Sequence, residues 1–165
     1  MSLNENSSRK EILSVINKNP FYFLDHFPDK PWAQPYIGEA AKMAVKKDSF
    51  KFINYYSGES WVQPYTDEAA KIYAKEKPIS FLLRYSDKPW AQPYIDEAAK
   101  IYFKKAPYSF LFDFSNKSWS QSYIDDAVSE AAKLDPKYFL EEWSDKFPQG
   151  INTALFALGG KNGSE

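Results

Sequence analysis

The sequence predicts an all-α fold: a right-handed α-solenoid of about five tandem 29-residue two-helix repeats. Three observations predict it. The phrase "SDKPWAQPYIDEAAKIY" at residues 86–102 returns as "PDKPWAQPYIGEAAKMA" from residue 28, "SGESWVQPYTDEAAKIY" from 57 and "SNKSWSQSYIDDAVSEA" from 115. The copies keep a 29-residue clock with no gap from residue 20 to 147. Inside each copy the apolar residues recur at helical spacing, and self-similarity at a period of this length is the mark of a stacked array.

The elements follow in chain order. Residues 1–19 form an N-terminal cap: "SRKEILSVINK" (8–18) falls where a long helix belongs but lacks the repeated phrase, as a terminal unit with one polar face should. Residues 20–147 hold five short-helix units alternating with four long helices. The short helices start at Pro20, Ser49, Pro78, Pro107 and Pro136. Proline suits the first helical position, where its missing N–H would be unpaired anyway. Asn19, Asp48 and Asp135 stand before three of them as N-caps. In "PISFLLRYS" Phe81, Leu82 and Tyr85 share one stripe. The long helices are expected near 33–47, 62–76, 91–105 and 120–134, with Pro35, Pro64 and Pro93 in the first turn. Asp96 and Glu97 are placed at the positive end of the helix dipole and Lys104 and Lys105 at the other. Tyr94, Ala98, Ile101 and Tyr102 form one apolar face. Residues 148–165 close the chain with an apolar capping helix, stopped at Gly159-Gly160, and a polar tail, "KNGSE".

The columns that stay in phase are Trp32, Trp61, Trp90 and Trp119; Gln34, Gln63, Gln92 and Gln121; Tyr36, Tyr65, Tyr94 and Tyr123; and Phe23, Phe52, Phe81, Phe110 and Phe139. Leu24, Ile53, Leu82, Leu111 and Leu140 follow, and an aromatic closes each block at Phe27, Tyr56, Tyr85, Phe114 and Trp143. The tryptophans are read as plugs at each joint. The rival reading is a ladder about 10 Å apart, the usual helix–helix distance, for a repeating ligand. The glutamines are read as ties for loop carbonyls, because a buried amide needs partners; the rival is a row of amides reading a peptide backbone. The tyrosines are expected in the core with the hydroxyl at its edge. Glu39/Lys42, Glu68/Lys71 and Glu97/Lys100 are expected as i, i+3 pairs on the outer face.

Paired antiparallel helices in tandem resemble tetratricopeptide and HEAT-like arrays. The resemblance covers residues 8–158 as an architecture. The 29-residue period is shorter than in either class and the tetratricopeptide Trp, Leu-Gly, Tyr pattern is not matched, so no functional residue carries over.

Composition removes several function classes. There is no cysteine, hence no disulfide or thiolate chemistry. His26 is the single histidine, which leaves neither a metal set nor a Ser/His or Cys/His pair. The adjacent carboxylates Asp125-Asp126 and Glu141-Glu142 diverge on a helix, and no Gly-rich phosphate loop exists. Net charge is −1, which argues against nucleic acid and anionic membrane as partners. No apolar signal core or run of about 18 apolar residues is present, so the expected setting is the cytoplasm. Asn6-Ser7-Ser8 and Asn116-Lys117-Ser118 match a glycosylation pattern and are discounted on the same ground. Aromatics make up 18% of the chain, which suits short segments packed by large side chains.

Columns that vary point to function. Asp25, Asn54, Leu83, Phe112 and Glu141, with His26, Tyr55, Arg84, Asp113 and Glu142 beside them, change chemistry from one short helix to the next. Asp25, His26, Asn54, Tyr55, Leu83, Arg84, Phe112 and Asp113 are the candidate partner-binding residues. The expected function is a non-catalytic scaffold or adaptor that binds a protein or peptide, without a cofactor. The alternatives are an aromatic row that binds a glycan or other polymer, and a structural or engineered spacer with no ligand. The apolar segment Ile151–Leu158 is the expected contact for a homodimer.

Overall fold

The computed structural model describes residues 3–159. Every regular element among them is helical, and the two-helix units recur in tandem as the sequence predicts. The chain divides into two compact units, Met1–Tyr73 and Ala74–Glu165. The first holds α1 (Arg9–Lys18), α2 (Pro20–His26), α3 (Gln34–Lys47), α4 (Ser49–Tyr56) and most of α5 (Gln63–Glu76). The second holds α6 (Pro78–Tyr85), α7 (Gln92–Lys105), α8 (Pro107–Phe114), α9 (Gln121–Leu134), α10 (Pro136–Glu142) and α11 (Ile151–Ala157). In the first unit α1 packs on α2 and α3, α2 on α3 and α3 on α4. In the second, α7 packs on α6, α8 and α9, α9 on α8, α10 and α11, and α10 on α11.

Local chemistry sets these boundaries. Ser8 caps α1 through a full capping box with Glu11. Asn19, Asp48 and Asp135 accept from Tyr22, Lys51 and Tyr138 backbone N–H groups and start α2, α4 and α10. The five column phenylalanines are wholly buried. Pairs of small residues, Ala40-Ala41, Ala69-Ala70 and Ala98-Ala99, are wholly buried and let neighbouring helices approach closely.

Five details differ from the sequence reading. The long helices do not start at the alanine, valine or serine after the tryptophan. A 3₁₀ turn comes first, at Pro31–Ala33, Ser60–Val62, Pro89–Ala91 and Ser118–Ser120, and the α-helix begins at the glutamine. This puts Asp96 and Glu97 beyond the first turn of α7, where the dipole has little effect. Lys100 pairs at 2.8 Å with Asp96, one turn back, and Glu97 turns instead to Lys75, 3.2 Å away. The tyrosine column is half-buried, and its neighbour column, Ile37, Thr66, Ile95 and Ile124, is the one that faces the core. At the last joint the 3₁₀ turn, Pro148–Gly150, arrives 30 rather than 29 residues after the one before, which starts at Ser118. One inserted residue puts Gly150 in the buried slot held elsewhere by Ala33, Val62, Ala91 and Ser120. Only glycine fits there: a Cβ would lie 2.3 Å from Phe139 Cζ and 2.6 Å from Val128 Cγ1.

The C-terminal helix α11 is short. Gly159, at φ +83°, terminates it, whereas Gly160 and the "KNGSE" tail lie outside the described residues. No helix among the described residues is long and apolar enough to cross a membrane.

Candidate functional site

Each repeated tryptophan sits half-buried in a corner of aromatic rings. Trp32, Trp90 and Trp119 meet the column rings Phe23, Phe81 and Phe110 edge-on, with centroids 6.3, 6.3 and 6.4 Å apart. The closing aromatics Phe27, Tyr56, Tyr85 and Phe114 lie tilted against Trp32, Trp61, Trp90 and Trp119 at 5.1–5.6 Å. These are the favoured geometries for aromatic pairs. The Trp119 indole N–H is buried and has no hydrogen-bond partner among the described residues.

The glutamines beside Trp32, Trp90 and Trp119 reach back over the loop. Gln34 donates to the Pro28 carbonyl, Gln92 to Ser86 at 2.8 Å, and Gln121 to Ser115 at 2.9 Å and Lys117 at 3.0 Å. Pro28, Ser86 and Ser115 occupy one column of the repeat. The amide thus satisfies a carbonyl left orphaned where the short helix ends.

Within the second unit a column tyrosine ties two successive long helices. The Tyr123 hydroxyl on α9 donates to Asp96 on α7, 3.2 Å away. Two repeats earlier the acid is replaced by Gly38, and the Tyr65 hydroxyl lies 2.5 Å from where a Cβ on Gly38 would stand. "PYIGEAA" and "PYIDEAA" therefore solve the same contact in two ways.

The candidate partner-binding residues all lie on short helices, and they divide in two. Asp25, His26, Asn54, Tyr55, Leu83, Arg84 and Phe112 are exposed, with Tyr55 at 68%, Leu83 at 61% and Phe112 at 78%. Asp113 is half-buried and accepts the Tyr102 hydroxyl at 2.8 Å. Asp25, though exposed, also serves the fold by accepting the Tyr56 hydroxyl. Burial, and then the Asp25 carboxylate, hold the Tyr56 phenol well above the ordinary tyrosine range. Burial and Asp113 push Tyr102 up to about 12. The His26 ring lies on Tyr22, centroids 4.2 Å apart, with Nδ1 2.9 Å from the Tyr22 carbonyl.

Concavities open among the described residues of the second unit. One, of about 360 Å³, is lined by Tyr102, Tyr108, Ser109, Phe112, Asp113 and Trp143. Another, about 230 Å³, runs along the start of α6 beside Ile79, Tyr102 and Lys105. Of the first lining, sequence reasoning named Phe112 and Asp113 as partner-binding residues. Tyr108 was missed because its column also holds Phe21, Phe50, Ile79 and Lys137, which gives no single signature. Among the described residues no group of three or more His, Cys, Asp or Glu side chains is placed to hold a metal ion.

No family model matches the chain, nor does any curated protein or solved structure.

Proposed function

We propose that this protein is a non-catalytic helical-repeat scaffold that binds a protein or peptide through side chains on its short helices. The carrying observation is on α6 and α8. These helices bury the same pair, Phe81-Leu82 and Phe110-Leu111, yet expose unlike apolar groups, Leu83 and Phe112, on the opposite side. A uniform interior with a varied apolar exterior suits recognition of an irregular polypeptide surface. The half-burial of the tryptophans against phenylalanine rings supports the same reading over a ladder for a polymer.

The test is a photo-crosslinking amino acid introduced at position 83 or 112. The bound polypeptide should be captured at both positions; capture at 83 should be lost with Phe112→Ser, and capture at 112 with Leu83→Ser. Capture should persist with Leu134→Ser, which alters an equally exposed leucine on α9. Capture at either position indifferent to the serine at the other, or turnover of a substrate by the purified chain, sinks the reading.

The exposed Leu155, Phe156 and Leu158 at the end of α11 are proposed to take a second copy of the chain. Sedimentation equilibrium checks this: Phe156→Ser should turn a dimer into a monomer.

A further inference from the structure

The pocket between α8 and α10 is a cluster of aromatic faces around a single carboxylate, and it has a counterpart in the first unit that shows what such a joint holds. In the first unit Phe21 on α2 stacks with Tyr56 on α4, centroids 6.3 Å apart. Lys51 lays its ammonium over that joint, 4.4 Å from the Phe21 centroid and 5.6 Å from that of Tyr55. The Asp25 carboxylate accepts the Tyr56 hydroxyl beside it. Ring faces with a carboxylate close by thus hold a cation supplied by the chain itself.

Three repeats on, the same columns read differently. Phe21 becomes Tyr108, Tyr56 becomes Trp143, Asp25 becomes Phe112, His26 becomes Asp113, and Lys51 becomes Tyr138. The Tyr108 and Trp143 rings lie 5.6 Å apart, and Tyr138 packs edge-on to Tyr108 at 5.1 Å. The lysine of that column has gone and the aromatic surface has grown; Lys146 lies over the Trp143 ring, 5.5 Å from its centroid, but is not part of the pocket lining. The Tyr108 hydroxyl is turned away, bonded to the Ala131 and Asp135 carbonyls at 2.9 and 2.8 Å. Asp113 accepts one hydrogen bond, from Tyr102 to Oδ2, and a carboxylate has capacity for more. The lining of this 360 Å³ pocket carries a carboxylate and no lysine or arginine.

We infer that this pocket takes the side-chain cation of a lysine or arginine from a partner polypeptide, set against the faces of Tyr108, Phe112 and Trp143 and hydrogen-bonded to Asp113. Charge complementarity selects the occupant: aromatic faces attract a cation, and Asp113 supplies the acceptor that its N–H groups require. The inference rests on the peptide-binding reading above and names the residue class that the α8–α10 joint would recognise.

The probes are N-acetyl-arginine amide, N-acetyl-lysine amide, the neutral isostere N-acetyl-citrulline amide, and tetramethylammonium. Each is titrated into the ¹⁵N-labelled full chain, and the Trp143 indole and Asp113 amide signals are followed. Arginine or lysine amide should shift both signals saturably, and citrulline amide should not. Asp113→Asn should weaken the binding about tenfold and Phe112→Ala about two- to tenfold, the range expected for loss of a cation–π contact. Phe112 is exposed, so its removal leaves the fold intact and keeps the test clear of stability. No saturable shift, an equal response to citrulline amide, or a response unchanged in both variants overturns the inference. Tighter binding of tetramethylammonium than of either amino-acid amide overturns the choice of a polypeptide cation. The two readings fail separately: a partner crosslinked at position 83 with no cation response leaves the scaffold standing without this pocket. A cation response without any crosslinked partner does the reverse.

Discussion

The side-chain amide of Gln92 donates to the backbone carbonyl of Ser86, 2.8 Å away, and joins the first residue of α7 to the residue that caps the end of α6. The 3₁₀ turn that carries Trp90 lies between them. One amide therefore fixes the turn that seats Trp90, and Gln34 and Gln121 do the same for Trp32 and Trp119.

Gln92→Ala leaves the Ser86 carbonyl without this donor at a part-buried site. The expected cost is about 1 kcal/mol, the usual worth of such a bond. Gln92→Glu should cost more, because a carboxylate cannot donate and sets negative charge against the carbonyl. Urea denaturation at neutral pH checks both: the midpoint should fall while the slope stays constant.

Gly150 and Gly58 separate a packed glycine from a free one. A Cβ at Gly150 would run into Phe139 and Val128, both wholly or nearly wholly buried, whereas at Gly58 nothing lies within 4 Å. Gly150→Ala should lower stability by about 1–3 kcal/mol, as overpacking does. Gly58→Ala should leave it unchanged or slightly raised, since its φ is not in the left-handed region and the unfolded chain loses freedom. Thermal melts of the two variants against the parent give the comparison.

The contrast between these glycines shows what was legible in the sequence. The phenylalanine and tryptophan columns were plain because each joint needs the same large ring, and repetition exposes that need without structure. The column of Ala33, Val62, Ala91 and Ser120 is as deeply buried as the phenylalanines yet went unnoticed. Small, unlike side chains carry little pattern, and the requirement is only that they be small. The inserted residue before Gly150 was hidden because the last unit has no tryptophan to mark its phase. The choice of Lys75 over Lys100 as the partner of Glu97 depends on neighbouring helices, which single-helix spacing does not describe. The candidate face was legible as variation between copies. Its division into exposed Phe112 and hydroxyl-bound Asp113 was not, since both residues sit side by side on α8.

Asp48 caps α4 by accepting the Lys51 backbone N–H at 2.9 Å. Asp48→Ala should cost about 1 kcal/mol, and Asp48→Ser or Asp48→Asn only a small part of it, because either retains a capping oxygen. The corresponding residue before α6 is Lys77, which makes no side-chain cap. Lys77→Asp should therefore stabilise by an amount of the same order, measured by urea midpoint.

Alkaline pH should find the tyrosine ties. Burial first, and then a facing carboxylate, raise Tyr56 above its ordinary value, and the same causes push Tyr102 to about 12. An unfolded tyrosine ionises near pH 10. Between that value and the folded one, the native state keeps a proton that the unfolded chain has released. Stability then falls as pH rises, because the unfolded state binds fewer protons. The contribution is whole below about pH 10 and is lost as pH climbs through the folded values. Urea midpoints taken from pH 8 to 12 should be level at first and then drop. Tyr56→Phe removes both the bond to Asp25 and the titrating group. It should start about 1 kcal/mol less stable at neutral pH and descend less steeply, so that the two curves converge at the alkaline end. Parallel curves across the whole range would show that the Tyr56 hydroxyl does not titrate with unfolding, and would remove Asp25 from the list of residues that hold α2 and α4 together.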